Sequence, residues 1–289
     1  MKIVKNNNVS IKINELGAEL KSFNVFGKEY IWYSDPKFWG RSAPFLFPIV
    51  GSIKDKKTII NGKEYFLSQH GFLRDQEFIV KNENSNYIEF ENTYSEETLK
   101  LYPFKYKANV RYDINDDSVK TSITITNLGE DIMPFNIGGH PAFNCPLEKD
   151  EKFSDYRIIF SKEESFASPK VCAGGLLDFS TKVYEQKNIK ELQLNKEIFT
   201  IDTILITNVK SREVKLVNKN NKGIQFIYDD FSTLAIWTPY NEAPFICLEP
   251  WIGYNDKVDT NGQYLTKDNL VKLKKGESFT ASYTIRALN

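Results

Sequence analysis

Alternation of apolar and polar positions is the main pattern along the chain. Apolar or β-branched residues recur at every second position in residues 9–13 and 119–126. Because successive side chains of a strand point to opposite faces, this period of two predicts β-strands. Residues 104–114 alternate less strictly but have the same aromatic and β-branched composition. Further strands are predicted at residues 19–25, 29–33, 64–68, 78–82, 87–93, 155–160, 203–208, 213–217, 224–228, 233–237, 245–249 and 279–287.

Turn signals separate these strands, and helical signals are short. Asn61-Gly62 is the sharpest turn signal, since both residues tolerate the positive φ of a type I′ hairpin turn. Ser95 followed by two glutamates predicts a single helical turn that Pro103 ends. Residues 161–200 are the most irregular part of the sequence and are interpreted as a long loop excursion.

These elements predict an all-β fold: one large, mostly antiparallel β-sandwich. Strands do not alternate with long helices, so a parallel α/β sheet is disfavoured. No Pro-, Gly- or Ser-rich linker divides the chain, and residues 1–289 are therefore expected to form a single domain.

Charge and composition narrow the function classes. Lys and Arg total 38, as do Asp and Glu, so the formal net charge is zero. The chain therefore lacks the excess positive charge that is typical of proteins that bind nucleic acid or an anionic membrane. No apolar run of transmembrane length and no signal peptide are visible, which favours a cytoplasmic protein. The three cysteines lack metal-binding spacing, and there are only two histidines. We expect no metal and no cofactor; a monomer and a homodimer both remain open.

Two segments in the first third of the chain hold candidate binding residues. Arg41 is the one charged residue of GRSAPFLFPIVG, where it either lies at the surface or presents its donor fork to an oxygen-rich ligand. His70 belongs to QHGFLRD, in which a glycine after the histidine suits the rim of a site. Arg74 either pairs with the adjacent Asp75 or faces a ligand.

Two later segments supply an acid–base pair. His140 lies in GGHPAFNCP, whose Gly-Gly and His-Pro steps force an irregular, extended path. Glu249 follows an apolar run and precedes Trp251 in FICLEPW, so we expect partial burial and a raised carboxyl pKa suited to a general base. Cys145 as a nucleophile is disfavoured, because nothing near it would lower the thiol pKa.

Histidines, arginines and a carboxylate beside aromatic residues suit a sugar ligand. Sugar hydroxyls need paired polar partners, and the C–H faces of the ring pack on aromatic side chains. The nearby aromatics are Phe47, Phe72, Phe143, Trp237 and Trp251.

In these four segments, and in their order, the sequence resembles the aldose 1-epimerase (galactose mutarotase) superfamily, and it is most similar to the LacX-like branch of small proteins. The resemblance implies a large β-sandwich of the galactose mutarotase type and an isomerase that interconverts the α and β anomers of an aldose. By position, Glu249 matches the catalytic base and His140 the acid. His70 and Arg41 match residues that hydrogen-bond the sugar and polarise the region of the ring oxygen.

The identity of the sugar stays open. Gly139-His140-Pro141 differs from the Asn-His-Thr type segment of the better-known galactose mutarotases. Asp202 is the candidate for the acid that binds sugar hydroxyls in that family. The segment from Gln69 to Arg74 also resembles hexose-6-phosphate mutarotases, which would place Arg74 near a phosphate.

Two other functions remain as alternatives. One is a catalytically silent sugar-binding or sugar-sensing protein on the same fold. The other is glycoside hydrolysis, which is disfavoured because it usually needs two carboxylates and only Glu249 is convincing.

Overall fold

The computed structural model describes residues 1–289, and most of them form β-strands. One short helix, α1 (Glu96–Leu101), and six 3₁₀ turns interrupt the strands. The strands are β1 (Lys2–Lys5), β2 (Val9–Ile13), β3 (Leu20–Val25), β4 (Lys28–Glu29), β5 (Phe45–Leu46), β6 (Lys57–Ile60), β7 (Lys63–Phe66), β8 (Ile79–Glu83), β9 (Tyr87–Thr93), β10 (Tyr106–Ile114), β11 (Ser118–Asn127), β12 (Met133–Phe135), β13 (Ile137–Gly139), β14 (Ala142–Asn144), β15 (Arg157–Val171), β16 (Leu177–Gln193), β17 (Thr203–Thr207), β18 (Glu213–Val217), β19 (Gly223–Ile227), β20 (Thr233–Trp237), β21 (Phe245–Ile252), β22 (Val271–Leu273) and β23 (Ser278–Leu288). The 3₁₀ turns are Lys54–Lys56, Leu73–Asp75, Phe153–Asp155, Ala173–Gly175, Lys196–Phe199 and Tyr264–Thr266.

Two large sheets form the body of the protein. One has nine strands in the order β16-β15-β18-β19-β23-β11-β10-β9-β8. The other has six, in the order β17-β20-β21-β13-β5 with β14 also paired to β21. The sheets pack face to face, as shown by the Phe143 ring of β14, which lies 5.7 Å from the Phe226 ring of β19. This confirms the predicted all-β sandwich, whose strand pairs are antiparallel.

Three small sheets complete the architecture. A four-stranded sheet, β1-β2-β3-β4, begins the chain, and β6-β7 and β12-β22 form two-stranded pairs. The largest hydrophobic cluster joins 63 buried residues from several of these sheets. None of the helices has the length and hydrophobicity of a membrane-spanning segment.

The alternation pattern located the strands well. Along β10, buried and half-buried residues alternate without a break, as a strand with one face on the core requires. The predicted strands at 9–13, 87–93, 213–217 and 233–237 match β2, β9, β18 and β20 residue for residue. The strand predicted at 29–33 is reduced to β4 and an isolated bridge at Ile31.

The local turn and cap signals are also confirmed. Asn61 and Gly62 both have positive φ, 50° and 78°, and join β6 to β7. Ser95 caps α1 in a capping box with Thr98, because each side chain bonds the backbone N–H of the other residue.

The interpretation of residues 161–200 as a long loop is wrong. Most of this region belongs to a long antiparallel hairpin made of β15 and β16, which turns at Ala173–Gly175. Several register shifts interrupt the pairing, and most residues of β16 are exposed. A strand that is solvated on both faces has no need for alternating apolar positions, so the period of two is missing there.

Candidate functional site

Strand β21, in the interior of the six-stranded sheet, places Glu249 opposite His140. β13 and β14 pair with the same edge of β21, Gly138 facing Trp251 and Ala142 facing Cys247. His140 lies in the break between these two short strands, and the break faces the part of β21 that contains Glu249. The irregular Gly-His-Pro path therefore brings the two predicted catalytic residues together.

A cavity of about 360 Å³ opens at this break. Its lining combines acid–base groups, neutral polar groups and aromatic rings. The lining residues are Trp39, Gly51, Gln69, His70, Arg74, His140, Val171, Gly175, Leu177, Asp202, Thr203, Leu205, Trp237, Glu249, Trp251 and Asn255.

The acid–base pair is buried and close. His140 Nε2 lies 3.1 Å from Glu249 Oε2, and the two residues are 6% and 2% exposed. The contact lacks the angles of a hydrogen bond, so Glu249 Oε2 has no hydrogen-bond partner within the protein. Each group is therefore free to exchange a proton with a ligand in the cavity.

Burial sets the protonation of this pair. Desolvation raises the pKa of Glu249 well above its usual range, and the charge of Asp202 raises it further. Desolvation and, to a smaller extent, the positive charge of Arg74 lower the pKa of His140 to about 3. Both shifts favour the uncharged forms, a protonated carboxyl group on Glu249 and a neutral imidazole on His140. Transfer of one proton from the carboxyl group to His140 Nε2, across 3.1 Å, gives a carboxylate and an imidazolium without exchange with solvent.

His70 presents a defined donor to the cavity. Its Nδ1 accepts a hydrogen bond from the backbone N–H of Gly51 at 3.0 Å, and the backbone N–H of His70 donates to the Gly51 carbonyl at 2.8 Å. Burial, together with the neighbouring His140, lowers the pKa of His70 well below its usual range. A neutral ring that accepts at Nδ1 has its proton on Nε2, so His70 offers an N–H donor.

The hairpin tip is fastened beside this histidine. Asn255 Nδ2 donates to the carbonyl of Gly175 in the turn between β15 and β16, at 2.7 Å. Gly51, with a φ of 67°, packs so closely on Asn255 that an added Cβ would lie 2.0 Å from Oδ1. Gly175 and Asn255 could not be predicted as cavity residues, because their contact joins distant parts of the chain.

Three tryptophans line the cavity. Trp39 stacks on His140 with 4.7 Å between ring centroids and 26° between planes. Trp237 meets His140 edge-on at 5.9 Å, and Trp251 lies 5.8 Å from His70. Trp237 and Trp251 were singled out from the sequence, whereas Trp39 was missed. Its position two residues before Arg41 was the available signal.

The two arginines take different places, each among the alternatives that the sequence left open. Arg41 Nη2 donates to Asp75 Oδ1 at 2.8 Å, and Arg41 does not line the cavity. Arg74 does line the cavity. Its Nη2 donates to the Gln69 carbonyl at 2.7 Å, and its Nε has no hydrogen-bond partner. Its Nε lies 3.9 Å from Asp75 Oδ2, a longer contact than that of Arg41.

Asp202 reaches the cavity from the start of β17. It is exposed and accepts a hydrogen bond from the hydroxyl of Thr203 at 2.9 Å. Its position at the cavity wall is compatible with the predicted contact to sugar hydroxyls, and that role stays a prediction.

One set of side chains could hold a metal ion. One ligand atom each from His140, Cys247 and Glu249 lies within 4.8 Å of the others, and all three residues are buried. Cys247 does not line the cavity, and burial raises the pKa of its thiol well above its usual range. A thiol in that state is a poor metal ligand.

The fold and the site together define a protein of the galactose mutarotase-like β-sandwich class. The chain belongs to the aldose 1-epimerase family, whose sequence profile matches residues 1–286. It is 36% identical to the plasmid-encoded protein LacX of Lactococcus lactis subsp. lactis over 295 aligned positions, covering 99% of each chain.

Solved structures agree with this assignment. A galactose mutarotase related enzyme from Lactobacillus acidophilus superposes with a TM-score of 0.94 at 28% identity, covering 100% of this chain and 97% of that one. A galactose mutarotase-like protein from Lactobacillus casei gives a TM-score of 0.89 at 29% identity, with full coverage of both chains.

Proposed function

We propose that this protein is an aldose 1-epimerase that interconverts the α and β anomers of a hexose or hexose phosphate by acid–base catalysis. The observation that supports this most directly is the 3.1 Å contact between His140 Nε2 and Glu249 Oε2 at a polar, aromatic-lined cavity.

The closeness of the pair fits the chemistry of a cyclic sugar. Opening the ring requires removal of a proton from the anomeric hydroxyl and delivery of a proton to the ring oxygen. Both oxygens are bonded to the same carbon, so base and acid must face nearly the same point. Carboxylates that cleave glycosides stand about 5 Å or more apart to flank a bond, which is a different geometry.

The reaction follows from these positions. Glu249, as carboxylate, takes the proton of the anomeric hydroxyl while His140, as imidazolium, protonates the ring oxygen. The bond between C1 and the ring oxygen breaks, and the free aldehyde forms. Rotation about C1–C2 and closure on the other face return both protons to their starting groups. No net proton is consumed, in keeping with a pair that shares one proton.

Other cavity residues would bind and orient the sugar. The Nε2–H of His70 donates to a sugar oxygen, and Asp202 accepts from hydroxyls. Trp251 offers a flat face to the C–H side of the ring. Arg74, rather than Arg41, is the arginine positioned to contact a substrate or its phosphate, and Arg41 acts by holding Asp75.

Anomer exchange measured by NMR magnetisation transfer tests the proposal. The panel is glucose, galactose and their 6-phosphates. Glu249→Gln, which keeps the shape but removes the base, should lower the exchange rate roughly 10²- to 10⁴-fold. Glu164→Gln is the matched control, because Glu164 is a buried glutamate outside the cavity that accepts the N–H of Ser211 at 2.6 Å. An unchanged rate in Glu249→Gln would remove that residue from the mechanism.

The same panel separates the enzyme from a silent sugar-binding protein. Saturable binding of a sugar, followed by titration calorimetry and without any acceleration of exchange, would favour the binding protein. The proposal includes a single domain over residues 1–289 and a cytoplasmic location. It also includes action on small sugars as a monomer or a homodimer.

A further inference from the structure

The two histidines of the site are held in different ways. The ring of His70 is fixed by a hydrogen bond at Nδ1. No hydrogen bond to another residue holds the ring of His140: Nδ1 is buried without such a partner, and the approach of Nε2 to Glu249 lacks hydrogen-bond angles. The orientation of this imidazole must therefore come from packing.

Trp39 provides the largest flat contact for that ring. Its indole lies over His140 at 4.7 Å and nearly parallel, while His70 and Trp237 meet the imidazole edge-on at 5.3 and 5.9 Å. Edge contacts leave the ring free to tilt, whereas a stacked face restricts it. Trp39 is thus the contact that sets the plane of His140.

The loop that contains Trp39 is anchored at its backbone. The backbone N–H of Trp39 donates to the Asp35 carbonyl at 2.9 Å. The buried indole N–H of Trp32 donates to the Trp39 carbonyl, also at 2.9 Å. The indole plane is further aligned with Phe245, at 27° and 5.9 Å. A short surface turn therefore holds its tryptophan rigidly over the acid.

We propose that Trp39 is a positioning residue that holds the His140 imidazole in the plane needed for proton transfer to the ring oxygen. This inference rests on the proposed epimerase function. An aromatic pair of this kind contributes enough to shift a rate roughly three- to tenfold. Trp39→Leu should therefore lower kcat by about that factor and leave KM within about twofold, whereas Trp39→Phe should retain most of kcat.

Proton NMR of the histidine rings gives a readout that does not depend on activity. The chain has only two histidines, so one substitution at His70 assigns both sets of ring signals. The stacked indole should displace the His140 signals upfield. Trp39→Leu should move them downfield, and Trp39→Phe should move them less. Tyr33→Leu is the matched control, since Tyr33 belongs to the same loop but is 64% exposed and lies outside the cavity.

The outcomes are separable. Histidine signals that stay in place in Trp39→Leu would refute the stacking. Displaced signals with an unchanged kcat, or a raised KM with an unchanged kcat, would show that Trp39 does not position the acid. If the wild-type protein accelerates no anomer exchange, the proposed function fails, while the histidine signals still decide whether Trp39 holds His140.

Discussion

Two substitutions of His70 can separate its structural bond from its proposed catalytic one. Asparagine places an oxygen near the position of Nδ1, where it can accept the N–H of Gly51, but it has nothing at the position of Nε2. Glutamine places its amide near Nε2 and leaves the Gly51 N–H without its acceptor. The two variants therefore remove opposite halves of one side chain.

The stability change follows from burial. Gly51 is buried, and a buried N–H without a partner costs about 1–3 kcal/mol. For 289 residues the unfolding entropy is about 0.6 kcal/mol/K, so His70→Gln should lower Tm by about 2–5 °C. His70→Asn should lose less, because it keeps the acceptor and because asparagine tolerates the φ of 66° at this position better than glutamine does.

The activity ranking should be reversed. Loss of a preorganised donor toward developing charge typically costs about 10²-fold in rate or more. His70→Asn should therefore show the larger loss in anomer exchange, and His70→Gln the smaller one. Thermal melts and magnetisation-transfer rates on the same preparations provide the test. A single variant that is worse in both measurements would refute the division of roles between Nδ1 and Nε2.

Two further predictions concern stability. Gly51→Ala should destabilise the protein by about 2–3 kcal/mol, from the left-handed φ and from displacement of Asn255. Gly62 also has a positive φ but open space around it, so Gly62→Ala should lose only the stability that the strained backbone costs. Equal losses of Tm in the two variants would contradict a clash between the Cβ added by Gly51→Ala and Asn255. Burial lowers the pKa of Lys196 to about 8, below its unfolded value of 10.5, so the unfolded chain binds more protons between these values and stability should rise with pH there. Urea titrations at pH 7 and 9.5 measure this rise in the free energy of unfolding, and the rise should be smaller in Lys196→Met. A larger rise in the variant would show that Lys196 destabilises the folded protein as the pH increases, contrary to this prediction.

The strands could be predicted where one face is buried and the other is not. β2, β9 and β18 have one face toward the core, so their alternation appears in the sequence. β20, by contrast, is buried on both faces and does not alternate. The hairpin of β15 and β16 could not be predicted in the same way, because much of it is solvated on both faces and its pairing is interrupted by register shifts. Its tip still lines the cavity through Gly175 and Leu177.

The site shows the same division between local and long-range information. His140 and Glu249 were recognisable because each lies in a distinctive local segment, and the register of β13, β14 and β21 then brings them together. The adjacency of Arg74 and Asp75 in sequence left a pair between neighbours open. In the folded chain Asp75 accepts a hydrogen bond from Arg41, 34 residues away, at 2.8 Å, and its contact with Arg74 is longer, at 3.9 Å.

That exchange of partners has a consequence for specificity. Side chains of neighbouring residues in the 3₁₀ turn Leu73–Asp75 point in different directions, so Asp75 can turn outward to Arg41 while Arg74 turns toward the cavity. With Asp75 engaged by a closer arginine, the charge of Arg74 is only weakly compensated. Arg74 lines the same cavity as both histidines of the site, and its positive charge lowers the pKa of each. A preference for the 6-phosphates over the free hexoses in anomer exchange would follow from that weakly compensated charge, and equal rates on both would assign Arg74 to neutral hydroxyls.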